Sequence, residues 1–271
     1  MRKLTSRFLV YFSILIAMLI FIVPLCYVVF TAFKLPEEFL SNPLGLIFSP
    51  TIENFVNSWQ KANFGFYILN SLIYVTAATV LSLICSLLIA FPIARNYVRF
   101  SSGLYFFMMI GVFLPDGTIP LFQILLKTKL FNTRLGYIIA MLSIGGVALM
   151  FFVSYLKGIP TDLDEAAITD GCGYFTYFFK IIIPLSKPAI SSMAILTAIG
   201  IWNDIVKAII FLSDEKLFPI TKGLFVFSGQ YSTNWTELTA GLIIVALPLV
   251  VLFLYLQRYI IDGLTAGSVK M

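Results

Sequence analysis

Apolar residues in this chain fall into six long runs, separated by polar links rich in Pro, Gly, Ser and Asn. The runs cover about 8–33, 66–94, 103–127, 137–157, 187–212 and 238–258. Each has about 20 residues or more, the length an α-helix needs to cross the hydrocarbon core of a bilayer. The pattern predicts an all-α, polytopic membrane protein with six transmembrane helices. The third run is interrupted by Pro115-Asp116-Gly117-Thr118-Ile119-Pro120. Such a break is tolerated only where the freed backbone faces protein or a wet cavity.

An even number of spans places both termini on one side. Positive residues choose the side. With the N-terminus in the cytoplasm, the inner segments hold Arg2, Lys3, Arg7, Arg95, Arg99, Lys157, Lys180, Lys187, Arg258 and Lys270. The outer segments hold Lys34, Lys61, Lys127, Lys129, Arg134, Lys216 and Lys222. The inward bias is modest, and the three charges before the first span favour both termini inside. The first run is longer than the core of a signal peptide and shows no small-x-small cleavage site, so it reads as a retained helix. Residues 1–65 then form the first helix and an external loop. Residues 66–271 form the core. The link 95–102 is short enough to make spans two and three a tight hairpin.

Composition narrows the function. Of 271 residues, 60% are hydrophobic and 11% charged, against roughly 25% charged in soluble domains. The net charge of +5 is scattered rather than clustered, which argues against nucleic acid and for loops near anionic lipid. Histidine is absent, so the chain has no His-based acid–base catalysis, catalytic triad or His metal site. Cys26, Cys85 and Cys172 are odd in number and widely spaced, fitting neither a disulfide framework nor a metal site. No phosphate-binding Gly-x4-Gly-Lys-Ser/Thr occurs, so ATP would bind on another chain.

The loop 158–186 is the longest predicted on the cytoplasmic side and is built as two short helices. Pro160 blocks continuation of the fourth span. Thr161 is placed to cap a helix, with Asp164 three residues on. Asp162, Asp164 and Glu165 put negative charge at the positive end of its dipole. Ala166 and Ala167 favour helix, and Gly171 supplies a stop. A second helix is expected over about 173–182, ending before Pro184. Leu163, Ala167 and Ile168 would share a face, giving the loop the character of a docking knob.

Glu165-Ala166-Ala167, three residues, Gly171, nine residues and Ile181-Ile182-Ile183-Pro184 resemble the EAA loop of ABC importer permeases. The only departure from that pattern is Ile183 in place of Leu. Pro115 and Pro120, Trp202-Asn203-Asp204, and the tail Gln257-Arg258-Tyr259 followed by Gly263 to Lys270 are similar to features of the carbohydrate-uptake, maltose-type G-subunit branch. The resemblance implies a type I importer permease fold working by alternating access. It implies as partners a second homologous permease subunit, an ATPase dimer carrying Mg-ATP, an extracytoplasmic solute-binding protein and the lipid bilayer of a bacterial or archaeal cell. This chain would hold no cofactor and do no covalent chemistry. Glu165, Ala166, Ala167, Ile168, Asp170 and Gly171 would couple to the ATPase, and the tail would enter the same interface. The maltose-type tail favours an oligosaccharide.

Asp116, Gln123, Trp202, Asn203 and Asp204 are candidates for the translocation pathway. An intramembrane carboxylate such as Asp116 is either functional or a cap for the restarted half-helix. Asp204 and Lys207 are three apart and can pair; an interface network is the stronger reading of that group. Gly145-Gly146 would let helices pack closely. The alternatives are an ABC permease for another small solute, a secondary transporter or a membrane enzyme. A secondary transporter would show internal repeats and midplane coupling carboxylates, and would leave the EAA loop unexplained. A membrane enzyme would need a polar catalytic cluster.

Overall fold

The computed structural model describes the backbone of residues 2–227 and 233–268, with side chains for 10–227 and 233–255. The described residues form helices joined by short links. Three helical stretches are each long and apolar enough to cross a membrane: Val10–Phe33, Phe64–Ala94 and Trp235–Tyr255. Three further candidates are helix pairs bent at a short break, giving up to six spans in all.

Two compact units emerge. One comprises Met1–Phe66 and Gly223–Pro248. It holds α1 (Arg2–Phe33), α2 (Pro36–Ser41) and α3 (Glu53–Lys61). Within it the Asn54 amide donates to the carbonyls of Ala32 at 2.9 Å and Lys34 at 2.7 Å, satisfying acceptors that the end of α1 leaves open. The Ser58 hydroxyl donates to Glu237 O at 2.6 Å, and the Lys61 ammonium lies 2.5 Å from the Glu237 carboxylate. These contacts fasten the segment after α1 to the region around Glu237.

The other unit comprises Tyr67–Lys222 and Leu249–Met271. It contains most of α4 (Phe64–Ala94), then α5 (Ser101–Phe113) and α6 (Thr118–Lys127), bent by 99°. The break falls at the Pro115-Asp116-Gly117 stretch, as the prolines demand. Pro120 itself is the third residue of α6, where its missing N–H has no intrahelical partner to lose.

Three elements differ from the sequence expectation. The fourth span is not one helix but α7 (Arg134–Met141) and α8 (Gly146–Lys157), bent by 54°. Gly145 and Gly146 stand at this break with φ of 91° and 60°, a left-handed backbone that glycine adopts without penalty. Their role is conformational: the nearest atoms to their would-be side chains, Met108 Sδ and Ser143 Oγ, are both 3.7 Å away, which is ordinary contact rather than close helix packing. After α9 (Asp162–Thr169), the second loop helix begins with α10 (Tyr174–Tyr177), continues as a π-turn over Phe178–Ile182 and ends in α11 (Ile183–Leu185). Pro184 sits in the first turn of α11, where proline is tolerated, so it does not stop the helix. This stretch meets α12 (Lys187–Asn203) at 75°. The fifth span is itself interrupted at Asp204, before α13 (Ile205–Phe211). The described residues close with α14 (Ile220–Gly223) and α15 (Trp235–Ser268).

Two apolar clusters hold this unit. One packs Leu87 and Phe91 of α4 against Leu149, Phe152 and Leu156 of α8, and takes in Ala167, Tyr177, Phe178 and Ile182 from the loop helices. The other joins Tyr74, Leu125, Tyr137, Met141 and Phe211 around the breaks.

Candidate functional site

The loop helix α9 carries acids in its first turn, where the dipole favours them. Thr161 makes no side-chain capping bond, so the expected cap is absent. Asp164 is turned inward instead of capping and is 8% exposed. Its carboxylate lies 2.8 Å from Arg95 Nε and accepts a hydrogen bond from the Tyr177 hydroxyl. The Arg95 side chain reaches further, donating from Nη1 to the carbonyls of Leu156 at 3.2 Å and Ile159 at 2.9 Å. Leu156 belongs to the last turn of α8 and Ile159 lies two residues past its end, where carbonyls are no longer claimed by an i+4 N–H. One guanidinium therefore ties the end of α4, the end of α8 and the loop helix together. The linkage of Arg95, Asp164 and Tyr177 is not readable from the sequence, where Asp164 figures only as a capping and dipole acid. Arg95 registered there only as one more inward positive charge, since nothing in the chain marks a partner 69 positions away (164 minus 95).

The expected docking residues divide between two faces. Ala167 is buried in the apolar cluster. Glu165, Ala166, Ile168, Asp170 and Gly171 are exposed, Ile168 to 70%. Leu163 is also exposed, so it does not share Ala167's face. Gly171 ends the helix at φ 68° with open space around it. The Gly171 and Cys172 N–H groups donate back to Ile168 O and Ala167 O at 3.0 and 2.9 Å. The result is a short helix fixed by its inner face and presenting a small, mixed apolar and acidic outer one.

The second candidate region lies at the three breaks. A cavity of about 440 Å³ is lined by Met141, Ser143, Met193, Gly200, Asp204 and Lys207, among others. Another of about 610 Å³ is lined by Asp116, Gly117, Ser143, Gly145, Gly146 and Lys207, among others. Lys207 is common to both. Its ammonium stands 3.3 Å from Asp204 and 3.6 Å from Asp116. Asp204 also caps α13, accepting from Lys207 N at 3.0 Å. Asp116 does not cap α6, which has no side-chain cap. It pairs across to Lys207 instead. Of the other pathway candidates, Trp202 is buried, while Gln123 and Asn203 are exposed, and none of the three lines either cavity. The side chains of the tail from 256 onward lie outside the described residues.

Comparison with known proteins fits this geometry. The family described as "Binding-protein-dependent transport system inner membrane component" matches residues 76–265. The arabinooligosaccharides transport system permease protein AraQ of Halalkalibacterium halodurans is 31% identical, over 91% of this chain and 90% of its own. The diacetylchitobiose uptake system permease protein NgcG of Streptomyces coelicolor is 30% identical, over 93% and 85%. The melibiose/raffinose/stachyose import permease protein MelC of Bacillus subtilis is 31% identical, over 81% of each. A solved bacterial ABC transporter involved in the import of the acidic polysaccharide alginate has a chain that superimposes with a TM-score of 0.79. That likeness covers 92% of this chain and 96% of that one at 21% identity, and it speaks to the fold. The chain belongs to the family of binding-protein-dependent transport permeases and has the type I importer permease fold.

Proposed function

We propose that this permease forms half of the translocation pathway of an ATP-driven importer for oligosaccharides, and that α9 couples it to an ATPase on a separate chain. The observation that carries the coupling claim is the division of α9. Its inner face is held by the Asp164–Arg95 pair, and its outer face is exposed and flanked by a glycine stop. The sugar assignment rests on relatives such as AraQ, NgcG and MelC, each named for an oligosaccharide or disaccharide system.

The mechanics follow from rigidity. Closure of an ATPase dimer would push on Glu165, Ala166 and Ile168. A helix held only by apolar contacts would slide. A helix bonded through Arg95 to the carbonyl end of α8 moves α8 with it. The other end of α8 is the Gly145–Gly146 break, which lines the cavity with Lys207. A push at the loop thus becomes a change at the cavity by rigid-body motion of α8 about a flexible glycine pair. Packed interfaces favour such two-state shifts over continuous deformation. The partners in this scheme are a second permease, the ATPase dimer with Mg-ATP, and a solute-binding protein outside. Both termini of this chain lie in the cytoplasm.

The test is reconstitution. The chain is co-expressed with its partner permease and ATPase, placed in proteoliposomes, and supplied with the solute-binding protein and a panel of labelled oligosaccharides. ATP-dependent accumulation of at least one sugar is the expected result. Uptake driven by an ion gradient without ATP would overturn the assignment.

A further inference from the structure

The geometry points to a charge filter: Asp116, Asp204 and Lys207 form one pathway subsite that carries a net negative charge, admits neutral sugars and repels acidic ones. This rests on the importer reading and goes beyond it by naming the class of sugar. Among the described residues that line the two cavities, these three are the only charged ones. Two carboxylates against one ammonium leave one negative charge. Lys207 cannot neutralise both, and it spans them at 3.3 and 3.6 Å. Asp116 keeps 66% of its side chain exposed, so its charge faces the open space rather than the protein interior. Cavities with low-dielectric walls focus such a charge and change the local concentration of ions of either sign. Neutral hydroxyls lose nothing there, since carboxylate and ammonium supply both acceptors and donors. A uronate would meet a like charge.

Ser143 lines both cavities and offers a reporter. Ser143→Cys is made in a chain whose Cys26, Cys85 and Cys172 are replaced by serine, and the whole transporter is reconstituted. Two thiol reagents of similar size are compared, one a quaternary ammonium methanethiosulfonate and one a sulfonate. Their rate ratio is divided by the ratio for 2-mercaptoethanol. A single charge at contact range through water favours the cation and disfavours the anion by about sixfold each, which predicts a normalised preference for the cation of about thirtyfold. Lys207→Met should raise it. Asp116→Asn and Asp204→Asn should each bring it close to one, and an Asp204→Asn side chain keeps the α13 cap. The double variant should fall below one. A ratio at or below one in the parent, a ratio that ignores these changes, or an introduced thiol that neither reagent reaches would overturn the filter. ATP-driven uptake measured on the same vesicles separates the two claims. Retained uptake with a flat ratio removes the filter alone, and absent uptake with the expected ratio series removes the importer reading alone.

Discussion

Arg95 Nε lies 2.8 Å from an Asp164 oxygen, with both side chains almost wholly buried and with Arg95 also bonded to the carbonyls of Leu156, in the last turn of α8, and Ile159, just past it. Breaking such a buried pair from one side leaves an uncompensated charge and costs about 3–5 kcal/mol. Arg95→Met and Asp164→Leu should each lower the melting temperature of the purified complex. The double variant Arg95→Met with Asp164→Leu removes both charges, and much of the lost stability should return. Transport should not return with it, because the link from α9 to α8 is gone. Thermal unfolding and ATP-driven uptake on the same samples check this, and a double variant that recovers both would contradict the linking role.

Tyr177 donates to the same carboxylate from the second loop helix. Tyr177→Phe keeps the ring in the apolar cluster and removes only the hydroxyl. A hydrogen bond to a charged group is worth about 1.5–3 kcal/mol. The expected result is normal assembly with a looser coupling ratio, read as more ATP hydrolysed per sugar accumulated.

The legible part of this molecule was what lies close together in sequence. The spacing from Glu165 to Gly171 and on to Pro184 identified the loop, and Gly171 stops its helix with a positive φ. The break at Pro115–Gly117 followed from two prolines. The long-range pairs were not legible. Asp164 reads as a capping acid, and only the packed fold, which brings Arg95 beside it, turns it inward. Gly145-Gly146 reads from the sequence as a site of close helix packing, and only their φ values reveal the break. Asp204 was legible as a partner of Lys207, because three positions on one helix face meet. The reach of Lys207 to Asp116 needed the bend between α5 and α6.

Gly145 adopts φ 91° and ψ −139°, a conformation essentially restricted to glycine. Gly145→Val should strain this break by about 1–3 kcal/mol. The chain should still insert and assemble, since the substitution meets only the flexible end of Met108. Uptake should fall at least tenfold while basal ATPase activity persists. Unchanged uptake would mean that the glycine pair is not the pivot.

Gly171 offers a graded version of the same logic. Its φ of 68° lies where Asn is tolerated and β-branched residues are not. Uptake should follow the order Gly171, Gly171→Asn, Gly171→Ala, Gly171→Val, with comparable amounts of each protein in the membrane by quantitative blotting.

Ile168 provides the most direct test of coupling through α9. Its side chain is 70% exposed, so Ile168→Asp should leave the fold intact while placing a charge in the docking face. The measurement is affinity purification of the tagged chain from its native membrane in mild detergent, with quantitative mass spectrometry of what comes with it. The account predicts a second permease and an ATPase with the unaltered chain. With Ile168→Asp it predicts the same second permease and at least tenfold less ATPase. No ATPase with the unaltered chain, or equal ATPase with both, would contradict it.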